Sequence, residues 1–160
     1  MSGNVSPTPE VVPPTPLREH ECWALLRTTS VGRLAVSVEG HPDIFPLNYV
    51  VDHGTVVFRS AAGTKVSAAL SDTPVALEAD GYDPETGEAW SVVIKGIAEE
   101  IQQVEDLLET VALPLFPWQA GEKGRFIRVV PSAMSGRRFV VVDSSVWRTS
   151  FSGAKHSPIE

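Results

Sequence analysis

The sequence predicts a mainly β (α+β) domain: an antiparallel barrel or sandwich with two or three peripheral helices. Three observations carry this. Six or seven short runs rich in Val, Ile, Thr and aromatic residues recur along the chain, the composition favoured on a half-buried pleated surface. Glu39-Gly40 and Asp52-His53-Gly54 separate successive runs by only two or three residues, as hairpins require. Helical patterns are few, whereas a doubly wound sheet needs a crossover helix between parallel strands.

Residues 1–16 hold five prolines and almost no large apolar side chains. Such a segment buries too little surface to offset its ordering entropy, so a locally extended tail is expected. Folded structure should begin near Leu17, where Cys22, Leu25, Leu26 and Thr29 recur at helical spacing, giving a helix of about three turns. Strands are expected over Val31 to Val38, Ile44 to Val51 and Thr55 to Arg59, followed by a short helix over Thr64 to Leu70. Val75 to Ala79 is a further strand, Tyr82 to Glu88 a hydrophilic loop around Pro84 and Gly87, and Trp90 to Ile101 a long strand. Val104, Leu107, Leu108 and Val111 are spaced i, i+3, i+4, i+7, an amphipathic helix that Leu113-Pro114 would end. Arg125 to Val130 and Arg137 to Val142 are two last strands separated by Pro131-Ser132. The expected division is a Pro-rich tail over 1–16, one folded domain over 17–143 and a polar tail over 144–160.

The totals bound the function. A chain of 160 residues fits one domain that buries roughly 68–70% of its unfolded surface. The net charge of −7 argues against nucleic-acid binding, which draws on a surplus of Lys and Arg. No apolar stretch is long enough to span a membrane and no signal-peptide core is evident, so a cytoplasmic location is expected. The single cysteine, Cys22, lies among Trp23, Leu25 and Leu26 and fits a small core residue. His20, His41, His53 and His156 show no metal-ligand spacing, and His41 and His53 fall in turns expected to be solvated, as is Asp52. Asp83, Glu85 and Glu88 share a Pro- and Gly-containing loop, a solvated cluster rather than a metal site. The sequence has no G-x-S-x-G, no Walker loop and no G-x-G-x-x-G.

The chemistry-bearing stretch runs from Pro46-Leu47-Asn48-Tyr49 through Phe58-Arg59-Ser60-Ala61-Ala62-Gly63-Thr64-Lys65. A strand ends at Arg59, a small-residue turn follows, and a helix is expected to open near Thr64. Unpaired backbone N–H groups at a helix start favour an anion. Arg59 can grip phosphate oxygens through its fork, Ser60 and Thr64 can donate hydroxyls, and Lys65 adds a point charge. Ala61, Ala62 and Gly63 leave room for close backbone approach. A phosphate monoester suits this pattern; a solvated tight turn is the competing interpretation.

The two hairpins, the Phe-Arg-Ser-Ala-Ala-Gly-Thr-Lys turn and the later Trp90-Ser91-Val92-Val93-Ile94-Lys95-Gly96 strand resemble the pyridoxamine 5'-phosphate oxidase-like superfamily of FMN-binding split barrels. The closest resemblance is to its actinobacterial and nitroimidazole-resistance reductase branch, over about Leu17 to Phe139. The resemblance implies an antiparallel split β-barrel that forms a homodimer, with FMN in grooves shared by both chains. It implies that Arg59, Ser60, Thr64 and Lys65 hold the FMN phosphate and that the Leu47-Asn48 backbone lies along the isoalloxazine ring. It also implies that the Pro117-Trp118 segment approaches the flavin from the partner chain. One departure stands out: the nitroimidazole-resistance branch has a histidine directly after the strand asparagine, where this chain has Tyr49.

The expected function is an FMN-dependent oxidoreductase acting on a small organic molecule, with no residue obliged to be a general acid or base. Two alternatives remain open on the same fold. One is a reductase using the deazaflavin F420, whose longer acidic tail would draw on Lys123, Arg125 and Arg128. The other is a flavin- or haem-binding module without turnover, with haem disfavoured because no histidine occupies an apolar setting.

Overall fold

The structure, a computed structural model, describes residues 12–60, 70, 72–102 and 125–141. Its elements in chain order are β1 (Thr15–Pro16), α1 (Glu19–Leu26), β2 (Val31–Val38), β3 (His41–Asp52), β4 (Thr55–Ser60), β5 (Val75–Asp83), β6 (Glu88–Glu100) and β7 (Arg125–Val140). All strand pairs are antiparallel, in the order β1-β7-β4-β3-β2-β5-β6, and a further pairing of β6 with β7 closes the sheet on itself. The result is the mainly β split barrel expected. The two further helices expected over 64–70 and 104–111 fall outside the described residues, apart from Leu70.

The hairpins follow from their turn residues. Glu39 and Gly40 link the pair Val38↔His41 with φ of 51° and 79°, and His53 and Gly54 link Asp52↔Thr55 with φ of 47° and 70°. Positive φ at both central residues is the type I′ geometry, whose twist matches that of the flanking strands. The expected loop over Tyr82 to Glu88 is much tighter. β5 runs on to Asp83 and β6 already starts at Glu88, because the N–H of Gly87 donates to the carbonyl of Asp83 (2.8 Å) and the N–H of Glu85 to its side chain (2.9 Å). Polar composition marked the residues as exposed, not as irregular.

The first helix is eight residues long, shorter than the three turns expected. Thr28 ends it: both its N–H (2.9 Å) and its hydroxyl (2.6 Å) donate to the carbonyl of Leu25, the local competition by which threonine disrupts helices. Thr15 and Pro16, placed in the tail by composition, pair with Arg138 and Arg137 of β7.

The largest correction concerns the end of the chain. The two strands expected around Pro131-Ser132 are one continuous strand, β7. Lys95 pairs with Ala133 and Gly96 with Pro131, leaving Ser132 as an extra residue whose hydroxyl donates to the carbonyl of Lys95 (3.1 Å). This is a β-bulge, and it reverses which residues face inward. Before it Ile127 and Val129 are buried; beyond it Met134 packs against the same core. Gly96 is required here, since a Cβ would stand 2.0 Å from the carbonyl oxygen of Val130.

Leu34, Leu47, Tyr49, Phe58, Leu77, Val92, Ile94 and Ile127 fill the interior, and Cys22 and Leu26 of α1 join the same core. Cys22 is therefore the core residue expected. The Tyr49 hydroxyl donates to the carbonyl of Leu26 (2.8 Å), fastening the helix end from inside, and burial pushes its phenol well above the usual range. Gly136 seats the helix start: its carbonyl accepts from the N–H of Leu17 (2.9 Å), and a Cβ would meet the Cys22 sulfur at 2.6 Å.

Tyr49→Phe strands a buried carbonyl and should lower unfolding free energy by about 1–3 kcal/mol. Gly96→Ala drives a methyl into backbone that other strands hold, so its loss should exceed that of Tyr49→Phe. Chemical denaturation of both variants measures this; parental stability in Gly96→Ala would mean the bulge relaxes without cost.

Candidate functional site

Strand alternation assembles an outer face on β3, β4 and β7. The register pairs Asp52↔Thr55, Val50↔Val57, Val57↔Arg128 and Arg59↔Phe126 put Asn48, Val50 and Asp52 on the same side as Thr55, Val57 and Arg59, and as Phe126 and Arg128. Val57, fully buried, forms with Ile101 a second apolar cluster against which Val50 and Phe126 pack. An apolar strip thus crosses the outside of the barrel, separate from the main core.

Arg59 and Asn48 stand at one end of the strip, each one residue beyond the pair Tyr49↔Phe58. The Arg59 guanidinium lies 5.1 Å from the centroid of the Phe126 ring, within range of a cation–π attraction. Its Nε and the Asn48 side-chain oxygen are both buried atoms. Ser60 follows directly and ends β4 opposite Arg125. Leu47 faces the other way, 5% exposed in the core, so it can offer the outer face only backbone. The structure therefore puts Arg59 and Asn48 on one face, whereas strand alternation turns the Ser60 side chain to the other. Thr64, Lys65 and Trp118 lie outside the described residues. Tyr49, standing where the nitroimidazole-resistance branch has histidine, points into the barrel rather than to this face.

The opposite end of the strip is a polar lock. Arg128 donates to the Thr55 hydroxyl (2.8 Å) and to Asp52 Oδ2 (3.2 Å), while Asp52 Oδ1 lies 2.8 Å from His53 Nδ1. Asp52 is thus not the solvated turn residue expected; its side chain is only 16% exposed. His53 is largely exposed, as expected. Sequence reasoning missed the strip itself. Val50 and Val57 were legible as the period-two neighbours of Asn48 and Arg59, but Phe126 comes beside Arg59 only through a strand pairing remote in sequence.

Arg125 and Glu100 form a two-pronged clamp between β7 and β6, Nε to Oε1 at 2.9 Å and Nη2 to Oε2 at 2.6 Å. The Arg125 hydrogen bond holds the Glu100 carboxyl below its usual range. A carboxylate so depressed stabilises the fold above its unfolded pKa and loses that contribution as pH falls through its folded value. Stability of the parent should therefore fall on acidification more steeply than that of Glu100→Gln, below about pH 4.3. Melting temperatures of the two proteins across that range check this; parallel curves would show the clamp to be neutral.

Among the described residues no helix is long and apolar enough to cross a membrane, and no group of three His, Cys, Asp or Glu side chains could hold a metal ion.

Comparison with known proteins agrees with this architecture. The chain is 32% identical over 133 residues to the uncharacterized protein Rv0080 of Mycobacterium tuberculosis, covering 80% of this chain and 86% of that one. The solved structure of an FAD binding protein from Mycobacterium smegmatis is 39% identical, with a TM-score of 0.69 over 79% of this chain and 98% of that one. A candidate 5-nitroimidazole antibiotic resistance protein from Bacteroides thetaiotaomicron shares the fold at 12% identity, with a TM-score of 0.63 over 81% of this chain and 91% of that one. Residues 18–138 match the family described as pyridoxamine 5'-phosphate oxidase. From the start of α1 almost to the end of β7, the barrel and its outer strip lie inside that match, and the chain belongs to the pyridoxamine 5'-phosphate oxidase family.

Proposed function

We propose that the protein is an FMN-dependent oxidoreductase acting on a small organic molecule, with the flavin on the outer strip of β3, β4 and β7. The observation that carries this is the placement of Arg59: a partly buried cation at the head of an apolar strip, on the same face as Asn48. A flavin has the complementary form, a phosphate at one end and a flat, mostly apolar ring system with polar edges at the other. Arg59 and Ser60, with Thr64 and Lys65 of the following turn, would hold the phosphate. The Leu47-Asn48 backbone would line the ring, and Trp118 would close on it from a second copy of the chain. When bound, the flavin supplies hydride or electron transfer. The chain's own part is to bind and orient the cofactor and, along the partly buried Val50 and Phe126, to keep water from one face.

The name of the Mycobacterium smegmatis relative favours a second reading, FAD, which shares the ring and the first phosphate with FMN. The deazaflavin reading is weakened by two neutralised cations. Arg125 is clamped to Glu100 and Arg128 to Asp52, so neither is free for an acidic tail.

Charge-assisted hydrogen bonds contribute roughly 1.5–3 kcal/mol each, so Arg59→Ala should weaken FMN binding by at least about tenfold. Lys65→Ala should weaken it by a similar or smaller factor, while riboflavin, which lacks the phosphate, should bind weakly and respond to neither change. Glu85→Ala, in the β5–β6 turn, is the surface control. Quenching of flavin fluorescence by each protein, with FMN, FAD and riboflavin in parallel, ranks the cofactors; parental FMN affinity in Arg59→Ala would defeat the assignment. A homodimer that completes the site should scatter light at about twice the 17.3 kDa of one chain, and a monomer at micromolar concentration would remove the shared groove.

A further inference from the structure

A cavity opens on the inner face of the sheet, at the end of the barrel where α1 stops. Alternation places Gly81 and Asp83 on the same side of β5 as the buried Leu77 and Ala79. Glu88 and Trp90 likewise share the side of β6 that buries Val92 and Ile94. The register sets two inward rows past the core, Gly81↔Trp90↔Arg138 and Asp83↔Glu88↔Val140. Gly81 has no side chain to fill its place, and the indole takes it: a Cβ there would collide with the Trp90 ring nitrogen. Between the indole, the β5–β6 turn, and Leu25 and Thr28 at the helix end lies a cavity of about 440 Å³, within the range of small-molecule sites.

Charge narrows the occupant. Asp80, Asp83, Glu88 and Arg138 all border the cavity. Two of the carboxylates are already matched, Glu88 with Arg138 at 2.9 Å and Asp80 with Arg33 at 3.5 Å. Asp83 makes no ion pair among the described residues; its carboxylate accepts the N–H of Glu85 at 2.9 Å and keeps its charge uncompensated. The carbonyl end of α1 adds partial negative charge, and the last helical turn holds no basic side chain to offset it. An indole face attracts cations as well. Asp83 stands two residues beyond Gly81, about 6.8 Å of strand, so one cation can reach both the carboxylate and the indole seated on the glycine.

We propose that this cavity binds a small alkylammonium, its chain against the Trp90 indole and its cation between the indole and the Asp83 carboxylate. The proposal does not rest on flavin binding at Arg59, which lies on the opposite face of the sheet. The probe is n-hexylammonium, followed by isothermal titration calorimetry, with 1-hexanol as the uncharged analogue. Hexylammonium should bind the parent protein saturably, one per chain, and hexanol far more weakly. Asp83→Asn, which keeps an acceptor for the Glu85 N–H, should weaken the ammonium at least about fivefold. Glu39→Gln, which removes the same charge from a distant turn, should leave it unchanged. Arg138→Gln should tighten binding about twofold or more, because Glu88 is then released to the ligand. Trp90→Leu should weaken it at least about threefold; should that variant fail to fold by circular dichroism, Asp83→Asn and Arg138→Gln, both at exposed positions, carry the test. Parental affinity in Asp83→Asn would overturn the proposal. So would an equal loss in Glu39→Gln, which would mark attraction to the net charge of the chain, or weaker binding in Arg138→Gln.

Discussion

Everything in this barrel depends on β7 pairing with β6 across a bulge. Among the described residues no other strand pair makes so long a contact, and this pairing converts an open antiparallel sheet into a closed one. Closure demands a strand that bends, and a regular ladder bends poorly. One extra residue at Ser132 supplies the bend, Pro131 needs no ladder hydrogen bond there, and Gly96 lets the two backbones meet without a side chain between them. The inward set switches from odd to even positions along β7, so a single strand supplies Ile127 and Val129 to the core and later Met134 to the same core.

The same switch arranges the outside. Ahead of the bulge, β7 presents Phe126 and Arg128 to the strip that carries Arg59; past it, the strand presents Arg137 and Phe139. Without the bulge Arg137 and Phe139 would point inward, where a guanidinium would have to be desolvated at a cost of several kcal/mol. The two surfaces differ in kind. The strip is apolar, centred on Val57 and Ile101 with Val50 and Phe126 beside them, whereas the later face sets an exposed Arg137 near a half-buried Phe139.

Legibility in the sequence followed the range of the interactions involved. The two type I′ hairpins were visible because Glu39-Gly40 and His53-Gly54 carry their own backbone instructions. The strand end at Arg59 and Ser60 was visible because a run of β-formers followed by small residues is a local pattern. Pro131-Ser132 misled because a proline beside a polar residue suits a turn and a bulge equally, and only the partner strand decides between them. Phe126 under Arg59, and Asp52 held by Arg128, join residues 67 and 76 positions apart; no local pattern announces such pairs. The first helix was overestimated for a related reason: periodicity counted Thr29, but the Thr28 side chain had a nearer carbonyl to bind.

The short edge strand at Thr15–Pro16 bears on how the chain reaches this state. Thr15 pairs with Arg138, and β4 and β6 pair with the same final strand. Hairpins such as β2–β3 and β5–β6 can form early, since their loops are short. The barrel itself cannot close before the last strand arrives, and contacts across such sequence distances belong to slow, millisecond-to-second folding. A growing chain therefore carries an open sheet, with unpaired edges on β4 and β6, until residue 138 leaves the ribosome. During that interval aggregation competes with closure, so synthesis rate and chaperone supply should govern yield more strongly than the final stability does.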